Sequence, residues 1–241
     1  MGNSDNLGDV QRRAGGGAAS PAEVARFNAL AAQWWDPAGP MRPLHAMNPL
    51  RIGWITARLP ALGTLLDVGC GAGLAAEALS RAGHAVTGID AAPAPIAAAQ
   101  VHAGALPIEY RVATTGDLVA EGRSFAAVTA LEVIEHVPDP AGFMRDLAAL
   151  LVPGGRLFLS TLNRTARSLV VAKWGAEYVM RLLPVGTHEW RRFVTPAELA
   201  RLGRGAGLRM TDSAGMSFDP LRQRWALSRD LGVNYIAAFE R

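Results

Sequence analysis

Along this chain the spacing of apolar residues switches between two periods. Short apolar runs suited to buried strands fall at 64–68, 85–89, 108–112, 125–130 and 156–161, and between them 74–82, 93–103 and 139–151 repeat their apolar positions at helical intervals. Strand and helix in alternation predict a parallel sheet covered by helices on both faces. Two later runs, 209–217 and 233–239, predict strands that close the sheet by antiparallel pairing. The expectation is an α/β fold with a seven-stranded, mainly parallel sheet that binds ligands at the carboxyl ends of its strands.

The flanks of this pattern carry their own signals. Residues 1–20 are rich in Gly, Ser, Ala and Asn without periodicity and predict a mobile leader. From Ala22 to Trp35 apolar positions return at helical intervals, and the segment through Ile55 adds Trp54 and two X-Pro turns, which predicts an N-terminal helical cap. Residues 21–241 then read as a single domain. Within it, 163–188 is too long for an ordinary connection and predicts a functional insertion facing membrane or substrate. Its 165–183 portion sets Leu169, Val170, Trp174 and Leu182 against Lys173, Glu177 and Arg181, the pattern of an interfacial helix or a lid.

Composition narrows the setting. The chain has 241 residues, 50% hydrophobic and 19% charged, enough to bury a full core. Its one cysteine, Cys70, excludes an intramolecular disulfide and suits a reducing compartment. With no apolar stretch fit to span a bilayer and no secretory pattern, a cytoplasmic location is expected. The formal charge of +3 comes from arginine, Lys173 being the only lysine. It suits an anionic membrane surface, whereas no dense basic run with interleaved aromatics suggests a nucleic-acid groove.

Candidate chemistry begins where the first strand ends, at Leu65-Leu66-Asp67-Val68-Gly69-Cys70-Gly71-Ala72-Gly73. Gly69, Gly71 and Gly73 allow sharp turns and close approach to a ligand. A dinucleotide fingerprint requires G-x-G-x-x-G, and Leu74 follows Gly73, so the spacing fails. Asp67 would repel a pyrophosphate but attract the ammonium of a methionine moiety, which points to S-adenosylmethionine. Asp90 ends the next strand, where an acidic residue accepts hydrogen bonds from ribose hydroxyls; a helix cap is its compatible alternative role.

Further runs follow in order: residues 27–36 (FNALAAQWWD), Pro43-Leu44-His45 with Asn48-Pro49-Leu50-Arg51, residues 132–140 (EVIEHVPDP), residues 160–164 (STLNR), and Gly186-Thr187-His188 with Phe193 and Pro196. With them the chain resembles, over residues 22–239, the class I S-adenosylmethionine-dependent methyltransferases, and within these the ubiquinone-biosynthesis O-methyltransferases. The resemblance implies a Rossmann-like methyltransferase fold and donor contacts from Arg51, Gly69, Asp90 and Leu131. It also implies two acceptors, 2-polyprenyl-6-hydroxyphenol and demethylubiquinol, with work in a ubiquinone-biosynthesis complex on the inner face of the membrane. Leu131 departs from the methionine often found there, a swap of similar volume.

Methylating a phenol requires its deprotonation, and Glu132, Glu135 and His136 form the dense cluster of candidates. His136 with Glu135 is the expected base. Eukaryotic members of the family are associated with a divalent metal at the positions of Glu132, Glu135 and His136, so a magnesium site there is an alternative implied by the resemblance. His45, His84 and His102 read as surface or packing residues. Two other functions fit the donor motifs: methylation of a carbon or another hydroxyl acceptor, and a noncatalytic donor-binding scaffold, which turnover by purified protein separates.

Overall fold

The computed structural model describes residues 20–169, 190–219 and 224–241. The expected leader and most of the expected insertion lie outside these residues. Eight described strands form one sheet: β1 (Thr64–Val68), β2 (Ala85–Asp90), β3 (Ile108–Val112), β4 (Phe125–Leu131), β5 (Leu151–Leu162), β6 (Arg209–Asp219), β7 (Arg224–Ser228) and β8 (Asn234–Glu240). Their order is β3-β2-β1-β4-β5-β8-β6-β7. The first five are parallel, and β8, β6 and β7 add antiparallel pairings at one side.

Seven strands were expected, and the additional one is β7. It pairs only with β6 and is half-exposed or exposed throughout, so it lacks the buried alternation that announces an inner strand. Strand β5 also starts earlier than its apolar run, at Leu151, with a register shift against β4 and Gly154 at φ +75°.

Helices α1 (Pro21–Leu30), α2 (Arg42–Thr56), α3 (Leu74–Arg81), α4 (Pro93–Ala103), α5 (Thr115–Ala120), α6 (Pro140–Ala149) and α7 (Pro196–Gly205) complete the described elements, with 3-10 turns at Ala31–Gln33, Ile134–His136 and Trp190–Arg192. Helix α5 was not expected; its six residues are too few to show a period, and the Thr114–Asp117 capping box starts it. Helix α2 runs through Pro49, where the sequence suggested a turn.

Successive residues of each inner strand enter different cores. Leu66, Val128, Leu157 and Leu159 pack with Leu118, Phe143, Leu147 and Leu199 on one face. Leu65, Ala127 and Phe158 pack with Trp54, Ile55, Leu79 and Ile96 on the other. A third, smaller cluster joins Phe27, Leu30, Trp34, Trp35 and Met41 of the N-terminal cap to Ala72 in the glycine turn. The chain leaves β1 toward β2 on one side and β4 leads to β5 on the other, so a crevice opens between the carboxyl ends of β1 and β4. Among the described residues no helix is long and apolar enough to cross a membrane.

Candidate active site

The glycine turn lies in that crevice. Gly69, Gly71 and Gly73 have φ of +65°, +53° and +89°, a region other residues rarely enter. Space enforces the same choice, because a Cβ on Gly69 would stand 2.5 Å from Val133, and one on Gly71 would strike the Trp34 indole. Asp90 braces the turn from β2: its carboxylate accepts from Gly71 N at 3.0 Å and from Ala92 N at 2.8 Å. The expected helix-cap role does not hold, because the N-cap of the next helix is Ala92 with no side-chain bond; Asp90 instead serves the turn, and a carboxylate with about four acceptor sites still has room for a ligand.

Beneath the turn, Asp67 is 2% exposed. One oxygen accepts from Thr129 Oγ1 at 2.7 Å, and Oδ2 is buried with no hydrogen-bond partner among the described residues. Burial pushes this carboxyl up to about 6, against the pull of Thr129 and Arg51. Arg51, on α2, is 3% exposed, and its Nε and Nη1 also lack hydrogen-bond partners there. Burial lowers its pKa, offset by Glu132 and Asp67. An unsatisfied guanidinium nitrogen, an unsatisfied carboxylate oxygen and a glycine turn fit a ligand with a carboxylate, an ammonium and a nucleoside. Burying such groups without partners is otherwise costly.

At the end of β4, Leu131 is half-buried and packs against the second core. Glu132 follows with φ +58°, the one left-handed non-glycine among the described residues. Its N–H donates to Ser160 O at 2.9 Å, its Oε1 accepts from Ser160 Oγ at 2.6 Å, and Arg51 Nη1 lies 3.7 Å from that oxygen. Glu135 turns the other way: it is buried and accepts from Thr161 Oγ1 at 2.9 Å, and burial beside Glu132 holds its carboxyl well above the usual range. His136 faces the cap, with Nδ1 3.3 Å from Glu23 Oε2 and its ring edge-on to Phe27 at 5.7 Å. Burial lowers its pKa, against the opposing effect of Glu23.

The expected magnesium site at Glu132, Glu135 and His136 finds no support in this arrangement. Among the described residues no group of three His, Cys, Asp or Glu side chains could hold a metal ion: Glu132 accepts from Ser160, Glu135 accepts from Thr161 and lies beside Glu132, and His136 faces Glu23. His188 lies outside the described residues.

Comparison with known proteins fits this geometry. A methyltransferase domain model matches residues 43–213. The ubiquinone biosynthesis O-methyltransferase of Xanthomonas axonopodis pv. citri is 50% identical over 219 residues, covering 89% of this chain and 92% of its own. That of Parvibaculum lavamentivorans is 44% identical and covers 98% of this chain and 99% of its own. The chain belongs to this O-methyltransferase family. In fold, the methyltransferase is similar to an SAM-dependent methyltransferase from Thermotoga maritima (TM-score 0.65, 16% identity, 89% of this chain and 97% of that one). It is also similar to magnesium protoporphyrin IX methyltransferase from Synechocystis PCC 6803, solved with bound SAH (TM-score 0.58, 21% identity, 99% and 95%).

Several residues around the methyltransferase's site were not anticipated. Thr129 and Ser160 hold the two carboxylates through contacts 62 and 28 residues apart in sequence, which no local pattern reports. Trp34 and Trp35 were seen as part of a cap but not as neighbours of the glycine turn. Tyr110, whose buried hydroxyl lacks a hydrogen-bond partner among the described residues, stands against Gly73 and Gly88.

Proposed function

We propose that the methyltransferase uses S-adenosylmethionine to methylate a phenolic hydroxyl of polyprenylated intermediates of ubiquinone synthesis, a polyprenyl hydroxyphenol and demethylubiquinol. The observation that carries the donor assignment is the pair of buried groups without hydrogen-bond partners among the described residues, Arg51 Nε and Asp67 Oδ2, beside three left-handed glycines. In this reading Arg51 takes the donor's carboxylate, Asp67 its ammonium and Asp90 the ribose hydroxyls. Gly69, Gly71 and Gly73 admit the nucleoside against backbone, with Leu131 as an apolar wall. When bound, the donor supplies an electrophilic methyl group on a sulfonium.

The acceptor side requires a base. A phenol with a pKa of about 10 is about one part in a thousand ionised at pH 7. His136 is proposed for this step: burial favours its neutral form, and Glu23, 3.3 Å from Nδ1, would stabilise the imidazolium formed when it takes the phenol's proton. Glu135 is assigned a supporting role behind Glu132. Anionic membrane is the proposed source of the acceptor, on the strength of the amphipathic 165–183 sequence, and the inner face of the membrane the proposed place of work.

The test uses a short-chain demethylated quinol with purified protein. Mass spectrometry should show one added methyl on oxygen and equimolar S-adenosylhomocysteine. His136→Ala should lower turnover by about a hundredfold or more while donor affinity, read by calorimetry, stays unchanged. Near-normal turnover of that variant would remove His136 from the reaction, and no methylated product would refute the acceptor class.

A further inference from the structure

The glycine turn is held by the N-terminal cap as well as by Asp90, and one tryptophan supplies a hydrogen bond to its centre. Trp35 Nε1 donates to Ala72 O at 2.9 Å, at the centre of the Gly71–Gly73 turn, and Ala72 is fully buried there. The same indole lies flat on the imidazole of His102, with ring centroids 3.4 Å apart and planes 5° from parallel. His102 Nδ1 is 2.6 Å from Oε1 of Glu77, which is fully buried and whose other oxygen accepts from Arg81 at 2.6 Å.

These partners sit on the two helices that frame the proposed donor site. Glu77 belongs to α3, which starts directly after Gly73, and His102 to α4, which starts just after Asp90. On the cap side, His45 stands edge-on to Trp35 at 5.7 Å, and its Nε2 is 2.8 Å from Trp34 O. Trp34 packs on Gly71, so both tryptophans bear on the turn. Asn28 adds a separate tie, its Oδ1 accepting from Ala94 N in the first turn of α4.

A carbonyl within a run of left-handed glycines has little to fix its direction except the donor it meets. We propose that Trp35 is a positioning residue for donor binding, which orients the Gly71–Gly73 turn through Ala72 O and is itself held by His102 and Glu77. The inference rests on the donor reading given above. Neither Trp35 nor His102 has to touch the donor; they set the backbone against which it lies. A flat aromatic stack and one hydrogen bond are separable contributions, and each has its own substitution.

The experiment is calorimetric titration of the full chain with S-adenosylhomocysteine, beside thermal unfolding and amide hydrogen exchange. Trp35→Phe keeps a ring over His102 but loses the N–H. Affinity should fall about fivefold to tenfold, the size of one net hydrogen bond, and the melting midpoint by no more than about 2–4 °C. Exchange at the Gly71 and Ala72 amides should quicken. His102→Ala should also weaken binding, and His102→Phe, which restores a flat surface under Trp35, should recover most of the loss. Because Trp35→Ala disturbs the small cap cluster, the Phe variants carry the conclusion. If the unmodified chain binds and Trp35→Phe binds equally well with unchanged exchange, the positioning role is overturned while the donor site stands. If the unmodified chain does not bind, the donor reading fails and the inference with it.

Discussion

Asp67 concentrates the conflict between stability and binding into one side chain. Its ordinary pKa is 3.8, and in the fold burial raises it to about 6. The folded state therefore holds this proton more tightly than the unfolded chain. Its contribution to stability is fully present below the ordinary value and is lost as pH rises through about 6, a difference of about 2–3 kcal/mol. Asp67→Asn should accordingly raise the ligand-free melting midpoint at pH 7.5, while its affinity for S-adenosylhomocysteine falls. For the unmodified protein, affinity should decline below about pH 6, where the carboxylate proposed to meet the ammonium is protonated. A variant no more stable than its parent at pH 7.5 would show that the carboxylate is not strained by burial. Asp67 and Asp90 stood out as candidates because one lies next to the end of the first apolar strand and the other ends the second, each at a set distance from the glycines. Arg51 was legible only through the resemblance, since a lone arginine on a helix carries no local mark of being buried.

At the scale of elements, legibility followed burial on two faces. Strands β1, β2, β4, β5 and β8 are apolar enough to announce themselves and β3 and β6 were read from weaker runs, whereas β7 is an exposed edge strand and α5 is a single capped turn and a half. Helix α7 shows what a cap adds where the pattern is clear. Thr195 Oγ1 accepts from Glu198 N at 3.2 Å, and Glu198 Oε2 accepts in return from Thr195 N at 2.9 Å. Glu198 also binds Arg164, just beyond β5, so the cap ties the helix to the strand end that borders the proposed acceptor side. Thr195→Ala should cost about 1 kcal/mol and lower the melting midpoint by about 2–4 °C. Donor affinity should be unaltered, because α7 packs through Leu199 on the core face opposite Arg51. A change in S-adenosylhomocysteine affinity measured by calorimetry would mean that α7 and the donor site are coupled.

For the molecule as a whole, the decisive relation is between the donor crevice and the place where residues 163–188 depart. They leave from the carboxyl end of β5, the same sheet edge that carries Asp67, Asp90 and Glu132, and the chain returns to the described fold at Trp190. An acceptor delivered by that segment would reach the crevice without crossing the sheet. The four Lys and Arg residues of 163–188, Arg164, Arg167, Lys173 and Arg181, divide into two pairs. Arg164 is bound to Glu198, and Arg167 to Asp230 at 2.5 Å, so both have partners in the fold. Lys173 and Arg181 lie outside the described residues, and the proposal of a membrane surface rests on them. Each basic residue near an anionic surface contributes about 1 kcal/mol. Lys173→Gln combined with Arg181→Gln should therefore weaken cosedimentation with phosphatidylserine-containing vesicles by roughly tenfold or more at low salt, leaving donor affinity intact. Binding by the unmodified chain should fall with added salt in the same assay. Arg164→Gln should instead act on stability, by releasing Glu198. Equal vesicle binding by the double variant and its parent would leave the membrane reading without its electrostatic basis.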